Sequence, residues 1–463
     1  MNIMLMENCG LFAAYSKDSR YNVTGRIIEG LLALQHRGQE AAGIAVSDGI
    51  KIQTYKGKGV VNSVFNKSIS QKIKGYFGIG HVRYSTNGFS NFVNAQPLTV
   101  RYKNEFFSIA HNGQIENSAE LKKIFEEKGS IFMTTSDTEL IPHLLVNNFK
   151  KAPSKWESKE VGKVIDKSIG PSYSLLLLFE NKIIVLRDAF GYRPLFLCET
   201  KNGIYVASED SAFKIFPLRD ANIREIKPGE AVEIKDGIIK SYEINPNKNY
   251  KFCFFEQVYF ARPDSNVFGE NVHLMREKLG ELCAKENPID ADIVIPVMDS
   301  GFSAALGYSK ASGIPLEMGL MRNKYVGRTF IDPDIQERKL GVRRKLSPVK
   351  EVIENKRLVL VDDSIVRGTT VKYIVKMLRE NGAQEVHIRI ASPMVVNTCH
   401  WGVDIPDKND LICSTKSLKE IEVLVNADSI KFISLTNLLN SLGSDGRKYC
   451  LHCFQNDWGE TSF

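Results

Sequence analysis

The segment from Arg357 to Ser392 constrains the fold most, because it carries the pattern of a complete strand–loop–helix–strand unit. Its first apolar run, Leu358–Val361, has the length of a buried strand and ends in Asp362 and Asp363. After a short loop, apolar residues recur at positions 371, 374, 375 and 378, which is the spacing of one helix face. Alternating apolar residues at 386, 388 and 390 predict the next strand. The unit predicts a parallel α/β sheet, and open sheets of that class bind ligands at the carboxyl ends of their strands.

Two different patterns lie on either side of a polar stretch, Tyr242–Lys251, which is typical of a linker. Residues 9–240 read as short strands with turns, and helices are predicted there at Val23–Leu34, Ser118–Lys128 and Thr138–Phe149. After about residue 270, strands and helices alternate. We therefore predict two domains, at residues 9–240 and 253–463, the second with the parallel sheet and a C-terminal tail.

Composition argues for a globular protein and against two classes of partner. The chain has 463 residues, of which 43% are apolar and 25% charged, and its net charge is only +7. A nucleic-acid binder concentrates its basic residues in a patch or arm, so we expect no nucleic-acid partner. No apolar run reaches the roughly 18 residues of a membrane span, and Met1–Asn8 lacks the basic region of a secretory signal. We therefore expect a cytoplasmic protein without a membrane partner, in which the 8 cysteines suit catalysis, metal binding or packing better than disulfides.

The loop after the first strand of the unit, Asp362–Thr370, combines acidic side chains with groups that suit a phosphate. Two carboxylates can bind sugar hydroxyls or Mg²⁺, because hard cations take oxygen ligands. Residues 367–370 open a helix, where unpaired backbone N–H groups and threonine hydroxyls favour an anion, and Gly368 allows close backbone approach. The loop is not a P-loop, since the Gly-x4-Gly-Lys pattern is missing. A capped helix with solvated aspartates would give the same residue pattern.

This loop resembles the phosphoribosyl pyrophosphate (PRPP) loop of type I phosphoribosyltransferases, and its Ser-Ile-Val-Arg-Gly-Thr-Thr sequence resembles the glutamine PRPP amidotransferase family in particular. The resemblance implies that Asp362 and Asp363 contact the ribose hydroxyls and an Mg²⁺ ion. It implies that the 5′-phosphate is bound by Arg367, Gly368, Thr369 and Thr370.

Two upstream segments agree with that resemblance. Ile293–Gly301 resembles the family's pyrophosphate-side loop, in which Ser300 takes the place of a metal-site residue, although Met298 stands where the family usually has proline. Arg322–Lys345 resembles the flexible loop that folds over PRPP, which implies that Lys324 binds this substrate. A closing loop would exclude water from the reacting centre, whereas a solvated basic loop is the alternative.

The N-terminal part of the chain contains five short motifs, which are specific for a family only when they are taken together. They are Cys9–Phe12, Leu34–Glu40, Gly80–Thr86, His111–Asn117 and Thr135–Glu139. Together they resemble the class II, or N-terminal nucleophile, glutamine amidotransferases over residues 9–240. That resemblance implies an α+β sandwich domain ahead of the α/β phosphoribosyltransferase domain.

The class II resemblance implies a role for each of these residue types at a glutamine site. Cys9 would attack the side-chain amide and form a thioester, with its own α-amine as base, since α-amino groups titrate near neutral pH. Asn112 and the backbone N–H of Gly113 match the oxyanion hole. Arg83 would hold the substrate carboxylate, for which a guanidinium fork is suited, and Asp137 would hold the α-ammonium group.

Cys9 could supply its α-amine only after cleavage of the chain, because no methionine immediately precedes it. Met1–Asn8 is therefore predicted to be a propeptide, as in the cluster-containing branch of the family. Histidines in the motifs are tempting general bases, but the resemblance implies structural roles for His36, His81 and His111.

Cys450 and Cys453 form a Cys-x2-Cys pair, which zinc, iron–sulfur and redox sites share. The spacing alone leaves zinc open, because His400 and His452 are candidate ligands. The resemblance goes further, since two more cysteines lie where the cluster-bearing branch has its other ligands. It implies a [4Fe–4S] cluster bound by Cys253, Cys399, Cys450 and Cys453. Packing roles are expected for Cys198, Cys283 and Cys413.

The resemblance covers nearly the whole chain and implies one reaction, in which glutamine, PRPP and water give 5-phosphoribosylamine, glutamate and pyrophosphate. This reaction opens purine (IMP) synthesis, with ammonia passing inside the protein to C1 of PRPP. Another class II amidotransferase is an alternative, but those enzymes have no PRPP loop. A PRPP-sensing regulator without catalysis is a second alternative, but it could dispense with Cys9, Arg83, Asn112 and Asp137. Feedback inhibition by purine nucleotides and a homotetramer are further expectations from the family.

Overall fold

The computed structural model has two antiparallel sheets in its first half and a parallel sheet in its second half. It describes residues 9–84, 92–217, 220–246, 249–323, 345–403, 405 and 407–455. Three features of the sequence lie outside these residues: Lys324, most of the basic loop before Lys345, and the predicted propeptide Met1–Asn8.

The described residues of the first half form a seven-stranded and a six-stranded sheet, in which neighbouring strands run antiparallel. In spatial order, the seven strands are Asn222–Glu225, Phe196–Glu199, Gly203–Ala207, Gly10–Ser16, Phe77–Arg83, Ala41–Ser47 and Ile52–Lys58. The six strands are Ile238–Glu243, Glu230–Lys235, Ile183–Arg187, Ser172–Phe179, Glu105–Gln114 and Leu98–Tyr102. The helices of this half are Thr24–Ala33, Val61–Val64, Lys67–Lys72, Ser118–Glu127, Leu140–Asn148 and Ser158–Ser168.

Both faces of these sheets are buried, and the first strand shows why. Leu11 and Ala13 pack with apolar residues of the other sheet and form the core between the two sheets. Phe12 and Ala14 lie on the opposite face, as strand geometry requires, and pack with the helix Thr24–Ala33. Apolar residues between positions 140 and 169 cover the outer face of the six-stranded sheet in the same way. The result is a helix–sheet–sheet–helix sandwich, which confirms the predicted class of fold for this half.

The second half contains a four-stranded parallel sheet, which confirms the prediction from the pattern at 357–392. In spatial order, its strands are Ile293–Pro296, Arg357–Asp362, Glu385–Ile390 and Ser429–Phe432. Among the described residues of this half, the helices are Val272–Glu286, Phe302–Ser312, Lys350–Ile353, Thr369–Glu380, Ile412–Thr415, Leu418–Val425 and Leu435–Leu442. The predicted helix face is confirmed by the buried side chains of Val371, Ile374, Val375 and Leu378.

The segment between the two halves is tied to the end of the chain. The short strand Phe252–Cys253 pairs in parallel with Tyr449–Cys450. A π-helical turn, Glu256–Phe260, follows at once, and its first residue accepts hydrogen bonds from Arg37 of the first half. This joint brings the two halves into direct contact around buried charges.

The three helices predicted in the first half are confirmed, at Thr24–Ala33, Ser118–Glu127 and Leu140–Asn148. The third begins slightly later than expected, because residues 137–139 form a 3-10 turn. Within the described residues, every helix is too short or too polar to cross a membrane.

Candidate active sites

Cys9 lies directly before the first strand and is partly buried. Its sulfur is 3.8 Å from the carbonyl oxygen of Tyr84. Burial raises the pKa of the Cys9 thiol, although the hydrogen bond to Tyr84 and the positive charges of Arg83 and Arg37 oppose this effect. A thiol with a raised pKa is protonated at neutral pH, so its attack on an amide requires a base.

Arg37 holds the backbone of Cys9 and is itself fixed by two carboxylates. Its Nε donates to the carbonyl oxygen of Cys9 at 3.2 Å. Its Nη atoms donate to Glu209 at 2.6 Å and to Glu256 at 2.7 Å, and all three side chains are fully buried. Burial disfavours the charge, but the two carboxylates outweigh it and raise the pKa of Arg37. Sequence reasoning gave Arg37 no role, and its only signal was its place in the motif Leu34–Glu40.

Asn112 and Gly113 lie next to each other near the end of the strand Glu105–Gln114. Asn112 is only 2% exposed, and its Nδ2 has no hydrogen-bond partner among the described residues. A buried donor without a partner is costly and is typical of a group that binds a ligand. Gly113 has no room for a side chain, because a Cβ there would lie 2.4 Å from the carbonyl oxygen of Ser172. The strand end therefore offers an amide donor beside backbone that carries no side chain.

Arg83 and Asp137 reach the same site from distant parts of the chain. Arg83 ends its strand and is 4% exposed. The carboxylate of Asp137 accepts a hydrogen bond from the Ile115 N–H at 2.9 Å, which ties it to the strand end that carries Asn112. The charges of Arg83 and Asp137 both act on the Cys9 thiol. The structure thus brings together the thiol, guanidinium and carboxylate that the sequence singled out.

The three histidines of the motifs make structural contacts. Burial lowers the pKa of His81 to about 3 and also lowers that of His111, so both rings are neutral at neutral pH. His81 Nε2 lies 3.1 Å from the carbonyl oxygen of His111, and His111 Nδ1 lies 3.2 Å from the Thr138 hydroxyl. His36 Nε2 pairs with Glu209 at 2.6 Å. These contacts support the structural roles that the resemblance implied.

The second site is a cavity of about 450 Å³ at the carboxyl ends of the parallel strands. Its walls also include Tyr259 from the joint and His36 from the first half. The sequence-predicted residues that line it are Ser300, Asp362, Asp363, Arg367, Gly368, Thr369 and Thr370.

The two aspartates of this cavity are buried side by side. Burial raises the pKa of both, and the carboxylate of Asp363 raises the pKa of Asp362 further. The Ser364 hydroxyl donates to Asp363 at 2.5 Å, and hydrogen bonding to Ser300 also stabilises the charged form of Asp363. A buried carboxylate pair of this kind is stabilised by a cation or by sugar hydroxyls.

The backbone after the aspartates is shaped for an anion. Gly368 has a φ of +73°, and a Cβ there would lie 2.6 Å from Cδ1 of Ile412. The helix begins at Thr369, so Thr369 and Thr370 occupy the first turn, where backbone N–H groups lack helical partners. Such a turn favours phosphate through these N–H groups and the helix dipole. Arg367 lies beside it, 3.5 Å from Asp410.

The loop with Ser300 packs closely against the acidic strand. A Cβ at Gly301 would lie 2.5 Å from the carbonyl oxygen of Val361. In the part of the chain that the structure describes, no three His, Cys, Asp or Glu side chains gather as ligands of one metal ion. Mg²⁺ needs only one or two carboxylates when substrate phosphates supply the other ligands. Asp362 and Asp363 therefore fit an Mg²⁺ ion that is bound together with its substrate.

Four cysteines converge where the joint meets the end of the chain. Cys253 and Cys450 are partners in the parallel strand pair. The carbonyl oxygen of Cys453 accepts a hydrogen bond from the Val396 N–H at 2.8 Å, which brings it to the segment before Cys399. Burial raises the pKa of Cys453, and the neighbouring sulfurs of the other three raise it further. Burial likewise raises the pKa of Cys253 to about 11.

This donor set fits an iron–sulfur cluster by its chemistry. Cluster ligands are thiolates, and thiols with raised pKa values release their protons when they bind metal. The sulfur of Cys399 accepts a hydrogen bond from the Trp401 N–H at 3.3 Å, a contact that stabilises thiolate character. Among the described residues, these sulfurs do not form a ready-made site for a metal ion.

Known proteins resemble this chain over nearly its full length. Residues 81–215 match a family model described as a glutamine amidotransferase domain. The chain is 46% identical to the amidophosphoribosyltransferase of Methanocaldococcus jannaschii, over 96% of each protein. It is 43% identical to the amidophosphoribosyltransferase of Bacillus subtilis, over 97% of this chain and 94% of that protein. The solved structure of glutamine PRPP amidotransferase from Bacillus subtilis, complexed with ADP and GMP, has a TM-score of 0.87, at 42% identity and 97% coverage of both chains.

The fold and the two sites define a class II glutamine amidotransferase joined to a phosphoribosyltransferase. The similarity to solved structures confirms both parts of the predicted fold. The chain belongs to the amidophosphoribosyltransferase family, whose members catalyse the first step of purine biosynthesis. Neither alternative from the sequence is favoured, because the relatives match both halves of the chain under one name.

Proposed function

We propose that this enzyme transfers the side-chain nitrogen of glutamine to C1 of PRPP through two sites that handle one ammonia molecule. At the first site, glutamine and water give glutamate and ammonia. At the second, ammonia displaces pyrophosphate from PRPP and gives 5-phosphoribosylamine. One observation carries the proposal: His36 lines the second cavity and bonds to Glu209, which bonds to Arg37 beside Cys9. A series of direct side-chain contacts therefore joins the two sites.

The geometry supports a thioester mechanism at the first site. Arg83 and Asp137 hold the two charged ends of glutamine, and the α-amine of Cys9 takes the proton of its thiol. The sulfur attacks the amide carbon, and Asn112 Nδ2 with the Gly113 N–H stabilises the oxyanion. Ammonia leaves with the transferred proton, and water then cleaves the thioester to release glutamate.

This mechanism requires a free α-amine, so removal of Met1–Asn8 is part of the proposal. The raised pKa of the Cys9 thiol means that its attack needs a base, and a free α-amine at the same residue would be a base within reach. Intact mass of the active enzyme is expected to correspond to a chain that begins at Cys9. An active enzyme that retains residues 1–8 would contradict this step.

At the second site, we propose that the 5′-phosphate binds the helix start at Gly368, Thr369 and Thr370, with Arg367 beside it. The ribose hydroxyls bind Asp362 and Asp363. Mg²⁺ held by these two carboxylates, with Ser300 nearby, would neutralise charge on the leaving pyrophosphate. The role of Lys324 in PRPP binding is proposed from the resemblance alone.

We also propose that a [4Fe–4S] cluster is bound by Cys253, Cys399, Cys450 and Cys453, with a structural role at the joint. Anaerobically purified protein is expected to contain about four irons per chain. Cys450→Ser should lose this iron, whereas Cys413→Ser, which changes a partly buried cysteine outside the group, should keep it. Colourless protein with one stoichiometric zinc would overturn the assignment.

Regulation and assembly are proposed from the family. A related solved structure contains ADP and GMP, which supports purine nucleotides as feedback inhibitors of this enzyme. A homotetramer, a cytoplasmic location and domain boundaries at 9–240 and 253–463 belong to the same proposal.

The Cys9→Ala variant tests the reaction. Glutamine-dependent synthesis of phosphoribosylamine should fall by roughly a thousandfold or more, because the nucleophile is gone. Ammonia-dependent synthesis should remain, because it uses only the second site. Cys413→Ala is the matched control and should keep both activities. If Cys9→Ala left glutamine use intact, the proposed mechanism would be wrong.

A further inference from the structure

A segment of the second half lies against the strands of the glutamine site. The carbonyl oxygen of Trp401 accepts two hydrogen bonds from the first half, one from the Ser172 hydroxyl at 2.8 Å and one from Arg193 Nη2 at 2.8 Å. Ser172 begins the strand that pairs with the strand of Gly113, and Tyr173 is the direct partner of Gly113. Trp401 is therefore hydrogen-bonded to the strand that pairs with the strand of Gly113.

Gly402 approaches Gly113 more closely still. Its φ of +94° lies in the region that favours glycine. A Cβ built on Gly402 would lie 3.1 Å from the carbonyl carbon of Gly113 and 3.2 Å from Arg193 Nη2. Gly402 therefore lies so near the backbone of Gly113 that there is little room for a side chain between them, and a side chain on either glycine would meet a neighbour. The contact joins the two halves at a residue of the proposed oxyanion hole.

The segment that makes this contact is itself held firmly. The ring of Trp401 stacks on Tyr192, with centroids 5.3 Å apart and planes 13° from parallel. His452 packs against the same ring, with centroids 5.1 Å apart, and the Trp401 N–H donates to the sulfur of Cys399. Packing on several sides therefore fixes the position of Gly402.

We propose that Trp401 and Gly402 are positioning residues that set the direction of the Gly113 N–H toward the oxyanion formed from glutamine. The proposal rests on the proposed hydrolysis of glutamine at Cys9. A donor in an oxyanion hole stabilises the transition state only when it is already aimed at the developing charge. A displaced Gly113 would therefore lower kcat and leave the binding of glutamine unchanged. In this way the second half contributes to chemistry that takes place in the first.

The Gly402→Ala variant tests this role. Because loss of a whole oxyanion donor lowers kcat by roughly 100- to 1000-fold, displacement of one should lower the glutamine-dependent kcat by about 10-fold. The KM for glutamine should stay within about twofold, and ammonia-dependent synthesis should be retained. Gly129→Ala is the matched control, since Gly129 has a φ of +85° and open space around its Cβ position. It should keep the wild-type kcat.

The Ser172→Ala variant tests the same role without backbone strain, because it removes one of the two hydrogen bonds to Trp401. It should lower the glutamine-dependent kcat by about 5-fold at unchanged KM, as loss of a neutral hydrogen bond predicts. If Gly402→Ala misfolds and also loses ammonia-dependent synthesis, the kcat of Ser172→Ala decides whether Trp401 has a positioning role. Wild-type kcat in Ser172→Ala, or a loss of kcat that follows iron loss in both variants, would overturn the positioning role. Glutamine use that survives Cys9→Ala would instead overturn the proposed function.

Discussion

The two candidate sites of this enzyme are built in opposite ways. The glutamine site gathers Cys9, Arg83, Asn112 and Asp137 from four separate segments, which are the start of the first strand, the ends of two other strands and a 3-10 turn. Six of the seven predicted residues that line the PRPP cavity lie in one continuous loop, Asp362–Thr370, at the end of a parallel strand. The residues of a continuous loop come together as soon as the strand and helix beside the loop form. The residues of a dispersed site come together only when the whole domain has folded.

The sites also differ in how their buried charges are balanced. Arg37, behind Cys9, has two carboxylate partners, and its raised pKa means that the charged form is favoured. Asp362 and Asp363 also have raised pKa values, but for an acid this means that the neutral form is favoured. The buried charge of Arg37 behind the first site is therefore balanced without substrate, while the carboxylates of the second site are stabilised by the cation and hydroxyls that its substrate brings.

The largest expected effect concerns the stability of the glutamine site. Arg37→Ala removes the cation that Glu209 and Glu256 share and leaves these buried carboxylates only their contacts with His36 and Arg193, which should lower the free energy of unfolding by about 3–5 kcal/mol. Denaturant unfolding measures the change. Arg20→Ala removes an arginine whose side chain is 89% exposed, and it should leave the unfolding midpoint unchanged. Equal unfolding midpoints for both variants would contradict the claim that the buried charge of Arg37 stabilises the glutamine site.

The next effect separates the two reactions. Asn112→Ala removes a buried donor and should lower the glutamine-dependent kcat by roughly 100- to 1000-fold, while ammonia-dependent synthesis stays near the wild-type rate. Steady-state assays with each nitrogen donor measure both rates. Asn147→Ala, at an exposed position of a helix, is the control and should leave both rates unchanged. An equal loss with both donors would show that Asn112 does not belong to the glutamine site alone.

A change at the PRPP site should affect both nitrogen donors. Asp363→Asn keeps the size of the side chain but removes its charge, so synthesis from glutamine and from ammonia should each fall by about 10- to 100-fold. Asp290→Asn alters a carboxylate that is 89% exposed, and it should change neither rate. Loss of glutamine-dependent synthesis alone would contradict the assignment of Asp363.

The smallest expected effect is an opposite response of the two halves to acid. The folded-state pKa of His81, about 3, lies below its unfolded value, so stability there is lost as the pH falls below about 6.5. The raised pKa values of Asp362 and Asp363 act in reverse, since the folded state binds their protons first and gains stability as the pH falls. Hydrogen exchange at pH 7 and pH 5 should show protection falling in the strand Phe77–Arg83 relative to Arg357–Asp362.

The histidine variant provides the control for this pH response. His81→Gln cannot gain the proton, so the fall in protection of the strand Phe77–Arg83 should be smaller than in the wild-type enzyme. Equal changes in protection of the two strands in the wild-type enzyme would contradict the predicted opposite effects of acid on the two halves.

The difference between the sites explains how much of each could be predicted. The strand, loop and helix around Asp362–Thr370 follow from local periodicity and spacing, and the structure has them as expected. The strands of the first half are buried on both faces, so periodicity does not reveal the sandwich, and only the resemblance to a family predicted it. The two halves of one molecule therefore needed two kinds of sequence evidence.

Some contacts between distant residues escaped sequence reasoning. Arg37 pairs with Glu256, 219 positions away, and Ser172 bonds to Trp401, 229 positions away. No local pattern marks such pairs, because each residue acquires its partner only when the two halves meet. The contacts that join the two sites were consequently missed, whereas the residues inside each site were named.

Transfer of one ammonia molecule between the sites is the central claim, and isotope competition tests it most directly. The enzyme is given PRPP, glutamine labelled with ¹⁵N at the side-chain amide, and an excess of unlabelled ammonium, and the ¹⁵N content of phosphoribosylamine is measured. We expect the product to keep nearly the full label of the glutamine, while Cys9→Ala in the same mixture makes unlabelled product. Label diluted to the proportion of free ammonia in the solution would contradict it.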